Sequence, residues 1–169
     1  MKDKLCIGVV NFQAAWGNIP ENLERIRKFC GQAKDLGAQM VVFPETALTG
    51  YSVLEQGAMH RAAAQEIPGE ASRAVLRMAK DMGLYLAVGM PEREAGKIYN
   101  SVLAVSPGGI GTVYRKIHPL AENCSGVPRD KPLQFGKLPG ARWELESAMI
   151  PINFQSSSAP MLRAGAGCT

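Results

Sequence analysis

Apolar residues follow two rhythms along the first 135 positions of this 169-residue chain. Leu5 to Phe12 is a nearly continuous apolar run with Val9 and Val10 inside it, which predicts a strand buried on both faces. A loop, Gln13 to Asn18, separates it from a helical pattern. There Leu23, Ile26, Cys30, Ala33 and Leu36 recur at steps of three and four, as an amphipathic helix requires. Pro20 suits the first helical turn, Glu21 favours a helix N-terminus, and Gly37 suits the C-terminal cap, so a helix is predicted over about 21–36.

Gln39 to Phe43 predicts a second buried strand, stopped by Pro44, and a long polar stretch follows from Thr46 to Gly69. Helical spacing returns with Ala71, Val75, Met78, Ala79 and Met82, predicting a helix over 70–82 closed by Gly83. Strands are predicted at 84–90, 98–105 and 111–117, the last two forming a hairpin around Ser106-Pro107-Gly108-Gly109. Strand, helix, strand, helix, strand and then a hairpin predict a layered α/β domain with a mixed sheet. Beyond Phe135 the prolines and glycines multiply, Ser156, Ser157 and Ser158 run together, and no period persists. Residues 1–135 therefore read as one domain and 136–169 as an irregular tail.

Composition narrows the picture without changing it. A hydrophobic fraction of 46% and a formal charge of +4 are ordinary for a globular domain. The basic residues are scattered, so no nucleic-acid partner is expected. The apolar run after Lys4 is too short for a signal peptide or a membrane span, which makes a cytoplasmic location without membrane contact the default expectation. Cys6, Cys30, Cys124 and Cys168 form no CxxC pair and no cluster with histidine, so neither zinc nor a disulfide framework is expected.

Candidate chemistry sits at two strand ends. Glu45 directly follows the second strand, at the end where α/β sheets place ligands, and a partly desolvated carboxylate there can act as a general base. A solvated glutamate in a turn is the alternative on spacing alone. Lys116 ends the last strand of the hairpin and could stabilise an oxyanion, or be an ordinary basic strand end. His118 and His60 read as structural and solvent-facing residues. The Gly108–Gly111 run lies in a hairpin, opens no helix, and is weak as a phosphate loop. A nucleotide-binding reading would need a glycine-rich turn after the first strand, where Asn11 to Asn18 supplies Gly17 alone.

Taken in order, PETALTGY at 44–51 and YRKIHP at 114–119 resemble the nitrilase superfamily of carbon–nitrogen hydrolases. So do the opening IGVVNFQAAWGNIPENLERI, the segment LYLAVGMPERE and the hairpin YNSVLAVSPGG, so the resemblance runs from about Leu5 to Phe135. It implies an α-β-β-α sandwich, here in part, and a Cys–Glu–Lys catalytic set that hydrolyses a small amide or nitrile. A thiolate attacks the carbon, ammonia or an amine leaves, and water hydrolyses the thioester. Glu45 matches the general base and Lys116 the lysine that stabilises the tetrahedral intermediate. Glu122 matches, in position, a second glutamate of many members, although its neighbours Ala121 and Asn123 depart from a tight motif. The chemistry needs no metal or organic cofactor. The family often assembles, so a homo-oligomer is compatible with the resemblance.

The nucleophile is missing from its expected place, a further strand resembling GxxICYDxxFPE. Cys6 and Cys30 fall in the first strand and first helix, Cys168 near the terminus, and Cys124 in the loop beside Glu122 without the strand or the following YD. Reading residues 136–157 one frame over, with permitted synonymous codons, yields ETPWGPVGIGI and then CYDTYQFPEL. Most steps involve a free base, but two are forced. The single Trp143 codon makes the next shifted residue Gly, and the single Met149 codon with Ile150 makes the Asp of CYD. The cysteine needs one base of the four at the end of the Ser147 codon. The expectation is a frameshift near Phe135–Gly136 that replaced the authentic continuation, with loss of activity, exposed apolar faces and an unpaired sheet edge. A non-catalytic member of the family is the alternative.

Overall fold

The structure is a computed structural model that describes residues 5–51 and 62–116, together with the strand backbone at 133–138, 141–145 and 161–165. The elements run β1 (Ile7–Asn11), α1 (Ile19–Asp35), β2 (Met40–Val42), α2 (Glu70–Met82), β3 (Tyr85–Glu94), β4 (Lys97–Ser106) and β5 (Gly109–Arg115). Then come β6 (Leu133–Leu138), β7 (Ala141–Leu145) and β8 (Met161–Gly165). Local signals set the helix ends. Asn18 Oδ1 accepts from the Glu21 backbone N–H at 3.2 Å to cap α1, and Gly83, at φ 67°, turns the chain out of α2.

The six-stranded sheet has the order β5-β4-β3-β2-β1-β8. β1, β2 and β3 are parallel, joined by the crossovers that contain α1 and α2, while β4, β5 and β8 pair antiparallel with their neighbours. β3 and β4 form a long hairpin, so β3 extends to Glu94 rather than ending at Met90.

Alternation along these strands sorts the side chains into two layers. Leu86, Val88, Met90, Leu103, Val105 and, partly buried, Val113 point to the helix side, where Ile26, Phe29, Cys30 and Ala33 of α1 and Val75, Met78 and Ala79 of α2 complete a core. Met40, Ala87, Ala104 and Tyr114 point to the opposite side and form a second buried cluster. The helix side is covered by α1 and α2, whereas on the opposite face Val9 is 42% exposed and Ile7, Val42, Tyr85 and Val102 are only partly buried among the described residues.

Several expectations are corrected. Leu36 is 60% exposed because it is the residue after the last helical turn and has left the apolar stripe; Phe29 fills that stripe instead. The stretch after Glu45 is not polar at its start, since Thr46, Ala47, Leu48 and Thr49 are buried. The tail beyond 135 contains strand backbone: β6 pairs with β7, and β8 pairs with β1. Ala141, Trp143 and Leu145 alternate with Arg142 and Glu144 after Pro139-Gly140, a period-two signal short enough to be lost among the surrounding prolines and glycines. β8 lies beside β1, so β8 and β5 are the two terminal strands of the sheet. Among the described residues no helix is long and apolar enough to cross a membrane.

Candidate active site

Glu45 is placed by a tight reversal of the chain. The Phe43 N–H still bonds to the Ala87 carbonyl at 2.9 Å, Pro44 then offers no donor, and Thr46 adopts φ 54° in the left-handed region. That conformation is unfavourable for a β-branched residue and persists because its surroundings fix it. Gly50 N–H bonds back to the Thr46 carbonyl at 2.7 Å, and Leu48 N–H bonds to the Gly89 carbonyl at 3.2 Å. The turn therefore lies directly on β3, at Gly89. A Cβ at Gly89 would stand 2.5 Å from the Pro44 carbonyl oxygen and 2.8 Å from Glu45 Cα. Only a residue without a side chain lets the glutamate's backbone come this close.

Asn22 ties the same turn to the loop after β1. It is fully buried on α1; its Nδ2 donates to the Ala15 carbonyl at 2.7 Å and the Leu48 carbonyl at 3.0 Å, and its Oδ1 accepts from Ala15 N–H at 2.7 Å. All the polar groups this asparagine presents have partners, so its burial is stabilising rather than a liability.

Lys116 arrives from the other direction, 71 positions along the chain, just past the end of β5. Its backbone N–H bonds to the Asn100 carbonyl at 2.7 Å, which fixes it across from β4. Its Nζ donates to Glu45 Oε1 at 3.2 Å. The Asn100 Nδ2 donates to the same Oε1. One carboxylate oxygen is thus held by two donors, while Oε2 has no hydrogen bond among the described residues. The side chains of Glu45 and Lys116 are 38% and 21% exposed, so the pair keeps contact with solvent and is accessible to a ligand. An oriented carboxylate beside an ammonium can take a proton and stabilise a developing negative charge.

A second polar cluster lies at the same end of the hairpin on the opposite face. Glu92 is 3% exposed, accepts from Ser101 Oγ at 2.6 Å and from Arg115 Nε at 2.8 Å, and takes a further bond from Arg115 Nη2. Arg115 also reaches Glu94 at 2.8 Å and stacks 4.1 Å over the Tyr99 ring. The hydrogen bond to Glu92, above all, holds the Arg115 guanidinium further above its already high pKa, against the opposing effect of burial.

Of the other sequence candidates, Glu122, Cys124, Cys168, His118 and His60 lie outside the described residues. Cys30 is buried in the helix-side core, where desolvation pushes its thiol up to about 12 against the pull of Arg27; that is an inert thiol at neutral pH. Cys6 is partly buried against the same core. A cleft of about 430 Å³ opens at the β3–β4 turn between Glu66, Pro68 and Arg93, and contains neither Glu45 nor Lys116. Sequence reasoning passed over Asn100, Gly89, Asn22 and Glu92. Period-two alternation from Val102 and Ala104 puts Asn100 on the same face as Tyr114 and Lys116, a signal that was present once the hairpin register was known.

The match to the family model for carbon-nitrogen hydrolases covers residues 6–150. The chain belongs to this family. A nitrilase from Pyrococcus abyssi is 36% identical over 99 residues, which cover 58% of this chain and 37% of that protein. An omega-amidase from Xenopus tropicalis is 37% identical over 100 residues, covering 58% and 35%. The chain thus matches about a third of the length of these curated relatives. Among solved structures, Nit3 of Saccharomyces cerevisiae, a member of branch 10 of the nitrilase superfamily, matches with a TM-score of 0.67 at 22% identity, over 78% of this chain and 51% of that one. A CN-hydrolase superfamily protein from Xanthomonas campestris matches with a TM-score of 0.68 at 19% identity, over 83% and 52%. These likenesses show the carbon–nitrogen hydrolase fold, in agreement with the layered α/β reading.

Proposed function

We propose that this carbon–nitrogen hydrolase chain carries the base and the electrostatic half of a site that cleaves a small amide or nitrile through a thiolate. The observation that carries the reading is the 3.2 Å contact between Glu45 and Lys116, brought together from strand ends 71 positions apart. Glu45 removes the thiol proton and returns it to the departing ammonia or amine, then takes a proton from the water that cleaves the thioester. Lys116 stabilises the negative oxygen or nitrogen formed at each attack. Glu122 is assigned to the rim of the same site on its position after the YRKIHP segment.

The nucleophile is assigned to the CYD segment encoded one frame over from residues 147–149, because neither described cysteine can serve. Cys30 is a core thiol and Cys6 packs beside it. That absence also favours a second reading, a non-catalytic family member or fragment that keeps a binding surface without the nucleophile. Ammonia release from a panel of small amides and nitriles decides between them, using the 169-residue chain and a version with the frame restored after Phe135. The frame-restored protein is expected to turn over, and the 169-residue chain to be slower by several orders of magnitude, as when a nucleophile is removed from a site that works as a unit. Glu45→Gln or Lys116→Met in the restored protein should abolish turnover without unfolding it. Thiol-dependent turnover by the 169-residue chain would overturn the frameshift and point to Cys124.

A further inference from the structure

Lys116 directly follows Arg115, the last residue of β5, so the two side chains point to opposite faces of the sheet. On the helix side Arg115 crosses β4 and reaches β3. Its Nε donates to Glu92 Oε2 at 2.8 Å, its Nη2 donates to Glu92 Oε1 and stands 2.8 Å from Glu94 Oε2, and its guanidinium lies 4.1 Å over the ring of Tyr99 on β4. Glu92 is held in turn by Ser101 Oγ at 2.6 Å, and Ser101 is the residue opposite Arg115 in the β4–β5 ladder. One guanidinium thus joins three strands at the last rung of β5. Stability alone is a weak reason for such a cluster. Glu92 is 3% exposed and costly to desolvate, and apolar side chains of similar volume fill such a space about as well as a buried ion pair. What they lack is direction, which a two-pronged bond between guanidinium and carboxylate supplies.

We infer that Arg115 is a positioning residue for Lys116: by stapling the end of β5 to β3 and β4 on the helix side, it holds the Lys116 ammonium at Glu45 on the other side. The inference rests on the proposed Glu45–Lys116 site and adds to it a part on the opposite face of the sheet. Among the described residues β5 pairs with β4 alone, and Lys116 has one backbone bond, to the Asn100 carbonyl. The end of such a strand frays unless a side chain ties it down. Any opening that pulls Lys116 N–H away from Asn100 must carry the adjoining Arg115 with it, and so must also break the fork on Glu92. The geometry of the ion pair on one face is therefore set by the staple on the other.

The test is hydrogen exchange and side-chain NMR on the 169-residue chain. In the unsubstituted protein Arg115 Nε–H and Lys116 N–H should exchange through one common opening, with matching protection once their intrinsic rates are removed. The double change Glu92→Gln with Arg115→Met removes both charges while Ser101 keeps an acceptor. It should speed Lys116 exchange by about tenfold or more relative to Val41 and Val88, and abolish the Glu45–Lys116 side-chain contacts. In the frame-restored protein the same change should lower kcat by about tenfold and leave KM within about twofold. The unsubstituted protein gives an answer even if the variant does not fold. Equal acceleration of all three amides, Glu45–Lys116 contacts that survive the change, an unaltered kcat, or a Lys116 N–H that exchanges well ahead of Arg115 Nε–H overturns the inference and leaves the site standing. If the unsubstituted protein shows no Glu45–Lys116 contact, the site and the inference fail together.

Discussion

Two carboxylates stand at the same end of the β3–β4–β5 hairpin sheet, on opposite faces, and they are treated in opposite ways. Glu92, on the helix side with Met90 and Leu103, is enclosed: Ser101 and a two-pronged Arg115 occupy its oxygens, and Arg115 is itself covered by Tyr99 and Glu94. Glu45, on the other side, is held at one oxygen by Lys116 and Asn100 and is 38% exposed. The difference separates structure from chemistry. A carboxylate whose bonding is complete and dry fixes a strand end; one that is oriented but incomplete has capacity left for a ligand or a proton.

The largest effect should come from breaking the enclosed side. Glu92→Ala leaves a buried hole, frees Ser101 Oγ and removes one of the two carboxylates on Arg115, and is expected to destabilise the protein by about 2–3 kcal/mol in urea unfolding, whereas Glu45→Gln should stay within about 1 kcal/mol. Equal losses would erase the contrast. Next, Gly89→Ala drives a methyl group into Pro44 and Glu45, and should destabilise by about 1–3 kcal/mol while displacing Glu45 from Lys116, seen as loss of their side-chain contacts by NMR.

A third test reads how well the helix side is sealed. The Cys30 thiol is raised to about 12, so the folded protein keeps it neutral after the unfolded chain has begun to ionise it near 9. Its contribution to stability is complete below the unfolded value and is lost as pH rises from there toward the folded one. By pH 10 the loss is about 1 kcal/mol, and Cys30→Val should flatten that alkaline decline. The smallest effect concerns salt. The Glu45–Lys116 coupling, about 0.5 kcal/mol in a double-mutant cycle, should shrink in 1 M NaCl, while the Glu92–Arg115 coupling should hardly change.

The regular parts of the fold were legible because they rest on local periods. The α1 and α2 stripes, the buried runs of β1 and β2 and the Pro107-Gly108 turn each announce an element without reference to the rest of the chain. Glu45 and Lys116 were legible as a carboxylate and an ammonium at strand ends. What escaped the sequence is register. Asn100 lies opposite Pro91 and bonds to Lys116 only because β4 is aligned between β3 and β5, and no local pattern fixes that alignment. Glu92 escaped for the same reason: a glutamate after Pro91 looks like a solvated strand end until Ser101 and Arg115 are placed around it. Gly89 escaped because its value lies in the segment that passes over it, and α2 together with 62–69 separates the two in sequence.

The terminal position of β5 gives the site an uneven hold on its two halves. Glu45 is anchored in the middle of the sheet, above β3 and clamped from α1 through Leu48. Lys116 hangs from the last rung of an edge strand that is paired only with β4 among the described residues. Edge rungs open by local fluctuation at a small fraction of the free energy of global unfolding. The Lys116 amide should therefore exchange with solvent deuterium well before those of Val41 or Val88, and each such opening dissolves the ion pair while the rest of the domain stays closed. The backbone hydrogen bond at 2.7 Å thus sets how often the whole rung leaves the site, and anything that pins it keeps Lys116 within reach of Glu45.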